Sequence, residues 1–201
     1  MALRHMNKAG VSAVLLRALC ASTFACTAML VGACDEVGAA DPKKQKEPPK
    51  DTKVTIGGKS FTLELALDDK TRFQGLSGRT EIKPDEGMLF IFPRAEERYF
   101  VMRDCPVDID IIFLDGVMKI TAMHEMKPED PRKDDEKQLE SAPGIPEWAR
   151  TNRKYEERLK RYYSKFASQY VIELKGGTMK GLGLKEGQKI ELDPALKKWV
   201  R

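Results

Sequence analysis

The sequence predicts a mainly β fold: an antiparallel β-sandwich, jelly-roll-like, or a partly open barrel, with one or two short helices and a charged helical insertion. Three observations predict this class. Apolar residues alternate along residues 54–67, the pair Asp115-Gly116 separates two apolar runs, and the connections between most predicted strands are short. Because strands joined by short connections usually pair as neighbours, this pattern favours an antiparallel arrangement over an α/β sheet.

The N-terminal residues 1–33 are predicted to be an export signal. Basic residues precede an acid-free apolar run, and the first acidic residue is Asp35. The run ends in LVGAC, residues 30–34, which resembles the lipobox of bacterial lipoproteins, so Cys34 is the predicted lipidation site. The alternatives are an ordinary signal peptide and an uncleaved anchor. Lipidation predicts a protein anchored on the periplasmic side of a bacterial envelope membrane.

Charge and cysteine content limit the partners of the mature chain. The full chain has 35 Lys and Arg against 31 Asp and Glu, and the signal removes three of the basic residues, Arg4, Lys8 and Arg17. The remainder is nearly neutral, so no nucleic-acid partner is predicted. Cys105 is the one thiol left after signal removal and lipidation, so no intramolecular disulfide is predicted.

A charged, Pro-bearing tether, residues 34–51, precedes a single domain at 52–192. Alternating apolar residues on both sides of Gly57-Gly58 predict a β-hairpin. A short helix follows, capped by Asp68 or Asp69 and ended by Gly78.

Further strands follow from short apolar runs bounded by turn residues. The run EGMLFIF is expected to stop at Pro93, and Asp115-Gly116 predicts a tight hairpin. A polar, Pro-rich insertion at 127–166 includes a predicted charged helix at 151–163, in which Glu156 lies four residues before Lys160. The other predicted elements are strands at 99–102, 108–114, 117–123, 168–175 and 188–192, a turn or helical element at 176–183, and a tail at 193–201.

A catalytic pair is restricted to Cys105 and His124, since His124 is the one histidine outside the signal. Asp104 or Asp110 would orient the imidazole. A purely acidic site using Asp104, Asp108 and Asp110 is the second enzymatic alternative. The non-catalytic interpretation is a small half-buried thiol and a surface histidine, and the sequence favours it.

Two other constellations carry possible binding chemistry. Soft ligands suited to Cu(I) are offered by Met102, Cys105, Met123, His124 and Met126, although methionines also fill irregular cores. A polar patch that would bind an anion, or form structural ion pairs, consists of Arg72, Arg79, Arg103, Asp104 and Asp110.

Four ordered segments, RFQGLSGR, EGMLFIF, FVMRDCPVDIDIIFL and YVIELKGGTMKGLGLKEGQKIEL, resemble the bacterial and archaeal family called domain of unknown function 192. The resemblance spans residues 54–192 apart from the insertion. That family usually has Thr at the position of Cys105 and no counterpart of His124, which weakens the thiol and copper interpretations. The matched positions are Arg72, Gly75, Leu76, Arg79, Gly87, Met88, Leu89, Phe90, Phe100, Met102, Asp110, Glu173 and Gly177.

The resemblance implies a mainly β, often exported domain without an established activity, cofactor or partner. We therefore predict a non-enzymatic envelope lipoprotein that binds a small anionic ligand, a glycan or an envelope protein through the polar patch, and no cofactor. The alternatives are an envelope enzyme, a copper-binding protein, and a structural adaptor that makes its contacts through the insertion at 127–166.

Overall fold

The computed structural model describes residues 47–139 and 141–201; Cys34, the predicted signal and most of the tether lie outside the described residues. Within these ranges, no helix combines the length and apolar character needed to cross a membrane. The strands are β1 (Asp51–Ile56), β2 (Lys59–Ala66), β3 (Glu86–Glu96), β4 (Tyr99–Phe100), β5 (Ile109–Leu114), β6 (Ile120–Met126), β7 (Tyr162–Tyr163) and β8 (Ser168–Lys175). The helices are α1 (Asp69–Gln74), α2 (Arg153–Arg158) and the 3₁₀ turns Asp134–Glu136, Glu147–Ala149, Met179–Gly181 and Pro194–Trp199.

Six strands form one mixed sheet in the order β1-β2-β3-β8-β5-β6, and β4 pairs with β7 in a second, two-stranded sheet. The predicted mainly β class is confirmed. All pairs are antiparallel except β2 and β3, which run parallel from Thr62 opposite Glu86. The parallel pair arises because the chain crosses back through α1 between the two strands, and parallel neighbours need such a crossover.

Both faces of the large sheet are buried. Side chains alternate along a strand, so Ile111 and Phe113 of β5 pack on one face while Ile112 and Leu114 pack on the other. We call these the Phe113 face and the Ile112 face. The C-terminal 3₁₀ turn covers part of the Ile112 face with Leu196, and Arg201 N–H donates to the carbonyl of Leu67.

Both predicted hairpins are present, but the turn of the second spans residues 115–119 and is longer than predicted, so its second strand is Ile120–Met126 rather than 117–123. β1 and β2 meet at Gly57-Gly58, where both glycines have positive φ, and β5 pairs with β6 across the Asp115 turn. The carboxylate of Asp115 accepts hydrogen bonds from the N–H groups of Val117 and Lys119, which closes that turn. Strand β8 has the predicted limits.

Helix α1 begins as predicted but ends early. Asp68 is the N-cap: its carboxylate accepts from Thr71 N–H in a capping box. The predicted end at Gly78 is wrong, because Gly75 has a φ of 49° and already terminates the helix, with its N–H bonded to the carbonyl of Thr71.

Three other predicted elements differ from the structure. Strand β3 continues through Pro93 to Glu96, because the register with β8 shifts between Ile91 and Glu96 and the proline lies in that interruption. The last predicted strand is only a single bridge between Lys119 and Lys189. The predicted strand at 99–102 shortens to Tyr99–Phe100.

The predicted charged helix at 151–163 is also shorter than expected. Helix α2 ends at Arg158, and the chain then forms β7 against β4. Glu156 does not form the predicted ion pair with Lys160 along the helix, because its carboxylate binds Arg103 in the domain. Tertiary contacts such as this ion pair therefore help to hold the insertion on the domain.

Candidate ligand-binding cavity

A cavity of about 830 Å³ lies beside the Phe113 face, lined by residues of α1, β3, β4, β8 and the insertion. This volume is in the range of small-molecule sites, roughly 300–1,000 Å³. Charged groups line it as well, with four arginines and three acids. The aromatic lining residues are Phe73, Phe90, Phe92, Tyr99, Phe100 and Trp148; the charged ones are Asp69, Arg72, Arg94, Glu96, Arg98, Arg103 and Glu173.

The sheet register brings the inner wall together. Met88 of β3 lies opposite Glu173 of β8, and Phe90 lies opposite Val171, so Phe90 and Glu173 project from the same face. Phe100 packs edge-to-face against Phe90, with ring centroids 5.1 Å apart. These residues are mostly buried, whereas Arg94, Glu96 and Tyr99 are exposed and form the rim.

Glu173 is an unpaired carboxyl in the inner wall. It is 5% exposed, and its Oε2 has no hydrogen-bond partner among the described residues. Burial raises its pKa to about 8, an effect that the positive charge of Arg79 only partly offsets. Glu173 is therefore mostly protonated at neutral pH. Buried polar groups are usually paired, so an unpaired one in a cavity marks a candidate binding residue.

Arg98 presents its guanidinium to the cavity and has only a weak acidic partner. Its guanidinium lies over the ring of Phe92, 3.6 Å from the centroid, and Nε donates to the carbonyl of Ser168. Nη2 donates to the carbonyl of Arg94, and the contact with Glu96 is long at 3.4 Å. In the described part of the chain Nη1 has no hydrogen-bond partner. Burial lowers the pKa of Arg98, and the nearby charge of Arg72 lowers it further, against the raising effect of Glu96.

Two residues of the predicted polar patch line this cavity. Arg103 stacks over Phe73 at 4.3 Å and forms a two-pronged ion pair with Glu156, at 2.6 and 2.8 Å. Arg72 lies on the ring of Phe92, with its guanidinium carbon 5.4 Å from the centroid. Its nitrogens donate to Asp69 and to the carbonyls of Ile91 and Arg201.

The other three residues of the patch lie outside the cavity. Arg79 binds the Glu64 carboxylate with both terminal nitrogens, each at 2.6 Å. Asp104 accepts two hydrogen bonds from Arg132 and lines a smaller neighbouring cavity of about 220 Å³. Asp110 is buried on the Ile112 face, where Oδ2 accepts from Met179 N–H. The five residues thus do not form one continuous patch.

The structure separates the predicted catalytic pair. Among the described residues no hydrogen bond joins Cys105 to His124; Nε2 of His124 donates to the carbonyl of Tyr163 at 2.8 Å. Burial raises the pKa of the Cys105 thiol to about 12, and the nearby Glu173 adds to this effect. Since the thiolate is the nucleophile, Cys105 is poorly suited to attack at neutral pH. The acids are also engaged elsewhere, Asp104 with Arg132 and Asp110 with Met179.

The predicted copper ligands do not share one face of the sheet. Met102, Cys105 and Met126 pack in the core of the Phe113 face, while Met123 packs against the Ile112 face. His124 alternates with Met123 along β6 and contacts the ring of Phe113. Residues 47–139 and 141–201 contain no group of three or more His, Cys, Asp or Glu side chains that could hold a metal ion.

Sequence reasoning missed Glu173, Arg98 and Trp148 as site residues. Glu173 had a visible signal, because an acid interrupts the apolar run of the buried strand β8. Arg98 had none, since an arginine in a charged loop is ordinary. Trp148 belongs to the insertion, where it packs edge-to-face on Phe73 at 5.6 Å, and nothing in the polar sequence around it indicates a cavity wall.

The fold and the cavity define a mainly β protein built on an open six-stranded sheet with an aromatic-lined recess. Residues 52–192 match the family model for domain of unknown function 192, described as an uncharacterised ACR, and the chain belongs to this family. The resemblance seen in the sequence motifs is confirmed.

Two solved structures are similar to this chain. One is a putative transcription regulator from Sinorhizobium meliloti, at 26% identity and a TM-score of 0.50, covering 69% of this chain and 88% of that one. The other is a protein of unknown function from Novosphingobium aromaticivorans, at 22% identity and a TM-score of 0.48, covering 71% and 85%. No curated protein matches the chain.

Proposed function

We propose that this protein is a non-enzymatic binding module of the bacterial cell envelope, and that its cavity binds a small organic anion with an apolar body. The observation that carries this proposal is the combination, in one cavity, of six aromatic side chains with the guanidinium of Arg98, whose Nη1 has no protein partner in the described chain. Small-molecule sites typically combine such apolar walls with a few well-placed polar groups.

The charged side chains that line the cavity favour an anionic ligand. Four arginines face the cavity against Asp69 and Glu96, because Glu173 is neutral at pH 7. Arg103 and Arg72 are already paired with Glu156 and Asp69, so Arg98 and the exposed Arg94 are the arginines best placed to receive a ligand. An arginine held between a backbone carbonyl and an aromatic ring presents its remaining donors in a fixed direction, which suits a carboxylate or phosphate.

The engagement of potential catalytic groups supports binding rather than catalysis. His124 donates to a backbone carbonyl, the Cys105 thiol is buried and protonated, and Asp104 is held by Arg132. A binding module needs none of these groups to react.

The first test concerns the cavity, and the chain supplies its own control. Trp148 lines the cavity, whereas Trp199, also partly buried, packs on the Ile112 face. For the full-length chain titrated with 4-isopropylbenzoate, we expect Trp148→Ala to weaken binding about tenfold, because it removes roughly 1.4 kcal/mol of aromatic contact. Trp199→Ala should leave the affinity within about twofold.

The dissociation constants are measured by NMR titration, which also reports which amides respond. Equal losses of affinity in the Trp148 and Trp199 variants would contradict the proposed site. So would resonance changes confined to residues outside the cavity.

We also propose that a lipid on Cys34 holds the module on the membrane. The supporting observation is the LVGAC segment at 30–34, followed by a charged stretch before β1 begins at Asp51. Two or more acyl chains would hold the protein firmly at the bilayer surface.

The anchor is tested by expressing the full chain in a bacterial host and labelling it with an alkyne analogue of palmitate. Wild type and Cys26→Ser are expected to incorporate the label and to sediment with membranes, while Cys34→Ser should do neither. Cys26 is a matched control because it lies in the same apolar segment. Undiminished labelling of Cys34→Ser would overturn the anchor.

A further inference from the structure

We infer that the bound anion also presents a neutral hydrogen-bond acceptor, such as a carbonyl oxygen, to Glu173, whose carboxyl group serves as a neutral donor in the inner wall of the cavity. This inference rests on the proposed function, since it specifies the ligand of the same cavity. It assigns the ligand two features: an anionic group for the arginine side and an acceptor for the glutamic acid.

The position of Glu173 allows such a contact. Its Oε2 is buried and without a protein partner in the described chain, and it lies beside Gly75, where a Cβ would be only 3.8 Å from it. The same Cβ would lie 3.4 Å from the ring of Phe90. Glu173 is among the residues that line the cavity, and the glycine at position 75 keeps a side chain at the end of α1 from packing on its carboxyl.

The surroundings of Glu173 keep it neutral. The paired strands bring uncharged Met88 and Ile111 alongside it. The ionisable groups that act on it are Arg79 and Cys105; Arg79 is already bound to Glu64, and Cys105 is a protonated thiol. A carboxyl that is kept protonated in an apolar setting acts as a hydrogen-bond donor.

A ligand ammonium group fits this cavity less well than an acceptor. It would have to enter past Arg72, Arg94, Arg98 and Arg103, which repel it. The arginines also cover the aromatic faces that a cation would use, since Arg98 lies over Phe92 and Arg103 over Phe73. A neutral acceptor meets no such repulsion.

The consequence is discrimination between ligands of similar shape. A ligand that lacks an acceptor leaves the buried carboxyl unpaired and so binds more weakly than one that satisfies it. The site would therefore select against purely hydrocarbon acids.

The test compares two anions that differ at one group, 4-acetylbenzoate and 4-isopropylbenzoate. They share the ring, the carboxylate and the branched substituent, and only the former carries a carbonyl acceptor. For the full-length chain at pH 6.5 we expect 4-acetylbenzoate to bind about tenfold more tightly, the effect of one buried hydrogen bond. This preference should decline as the pH rises through about 8, because Glu173 loses its proton there.

Two variants assign the preference to Glu173. Glu173→Leu should abolish it. Glu173→Gln should retain it, because the amide keeps an N–H donor, but should remove its dependence on pH. Neither variant introduces a charge, so both are expected to fold.

The outcomes separate the two proposals. Equal affinities for the two anions in wild type would overturn the role of Glu173 and leave the cavity as a binding site. Tighter binding of benzylamine than of 4-acetylbenzoate, increasing as Glu173 ionises, would overturn the assignment of a neutral acceptor. Failure of both anions to bind would overturn the proposed function itself.

Discussion

Glu173→Gln is expected to raise the free energy of unfolding at pH 7 by about 3 kcal/mol, because it removes a carboxyl that must bind a proton to stay in the folded protein. Burial raises the pKa of Glu173 from its ordinary value of 4.5 to about 8. The isosteric amide fills the same space and has no such requirement.

The pH dependence gives the sign of this effect. Between pH 4.5 and 8 the folded chain holds a proton on Glu173 that the unfolded chain has lost, so stability falls as the pH rises. The slope approaches about 1.4 kcal/mol per pH unit and levels off above pH 8, where the folded state also ionises. Glu173→Gln should lack this component, so the two stability curves should diverge with rising pH.

Urea unfolding of wild type and variant from pH 5 to 9 measures this difference. Glu191→Gln, at an exposed carboxyl, is the matched control and should leave the slope of the wild-type curve unchanged. Parallel curves for wild type and Glu173→Gln would show that Glu173 is ionised, or equally solvated, in both states. The expected divergence would identify a residue that lowers stability while lining a cavity, which is a common feature of binding sites.

Tyr155→Ala should lower the free energy of unfolding by about 3–5 kcal/mol, the range for truncating a fully buried aromatic side chain. Tyr155 is 1% exposed, and the guanidinium carbons of Arg132 and Arg158 lie 3.8 and 4.8 Å from the centroid of its ring. Its hydroxyl accepts a hydrogen bond from the N–H of Asp104, a residue with a positive φ of 50°. Tyr155 thus joins the insertion to the loop after β4.

Two further variants isolate the cause in the same denaturation experiment. Tyr155→Phe keeps the ring and loses the hydroxyl contact, so we expect a cost of about 1 kcal/mol. Tyr163→Ala, at a tyrosine that is 53% exposed, should cost much less than Tyr155→Ala. A loss of less than 1 kcal/mol for Tyr155→Ala would mean that the insertion packs only weakly on the domain.

The same variant links the insertion to the cavity. The insertion supplies Trp148 to the cavity wall and Glu156 to Arg103. Without urea, and at a pH where Tyr155→Ala remains folded, the affinity of this variant for 4-isopropylbenzoate should therefore fall, as in Trp148→Ala. An unchanged affinity would show that the wall does not depend on this anchor.

Local patterns in the sequence determined the positions of both hairpins and the limits of some of the strands. Alternation around Gly57-Gly58 and the Asp115-Gly116 pair act over a few residues, and the apolar run of β8 has the predicted limits. Four ordered motifs also determined the family, which the match over 52–192 confirms. Local signals were insufficient at two positions. Helix α1 ends at Gly75, before the predicted end at Gly78, and β3 continues past Pro93, where a register shift accommodates the proline ring.

Only the tertiary structure decided the cavity and the state of its groups. Its wall joins residues from Asp69 to Glu173, and the ion pair of Arg103 with Glu156 spans 53 positions, distances over which periodicity carries no information. The parallel pairing of β2 and β3 depends on the crossover through α1. Glu173 is neutral because burial removes water from its carboxyl, and that desolvation exists only once β3, β5 and β8 are packed together.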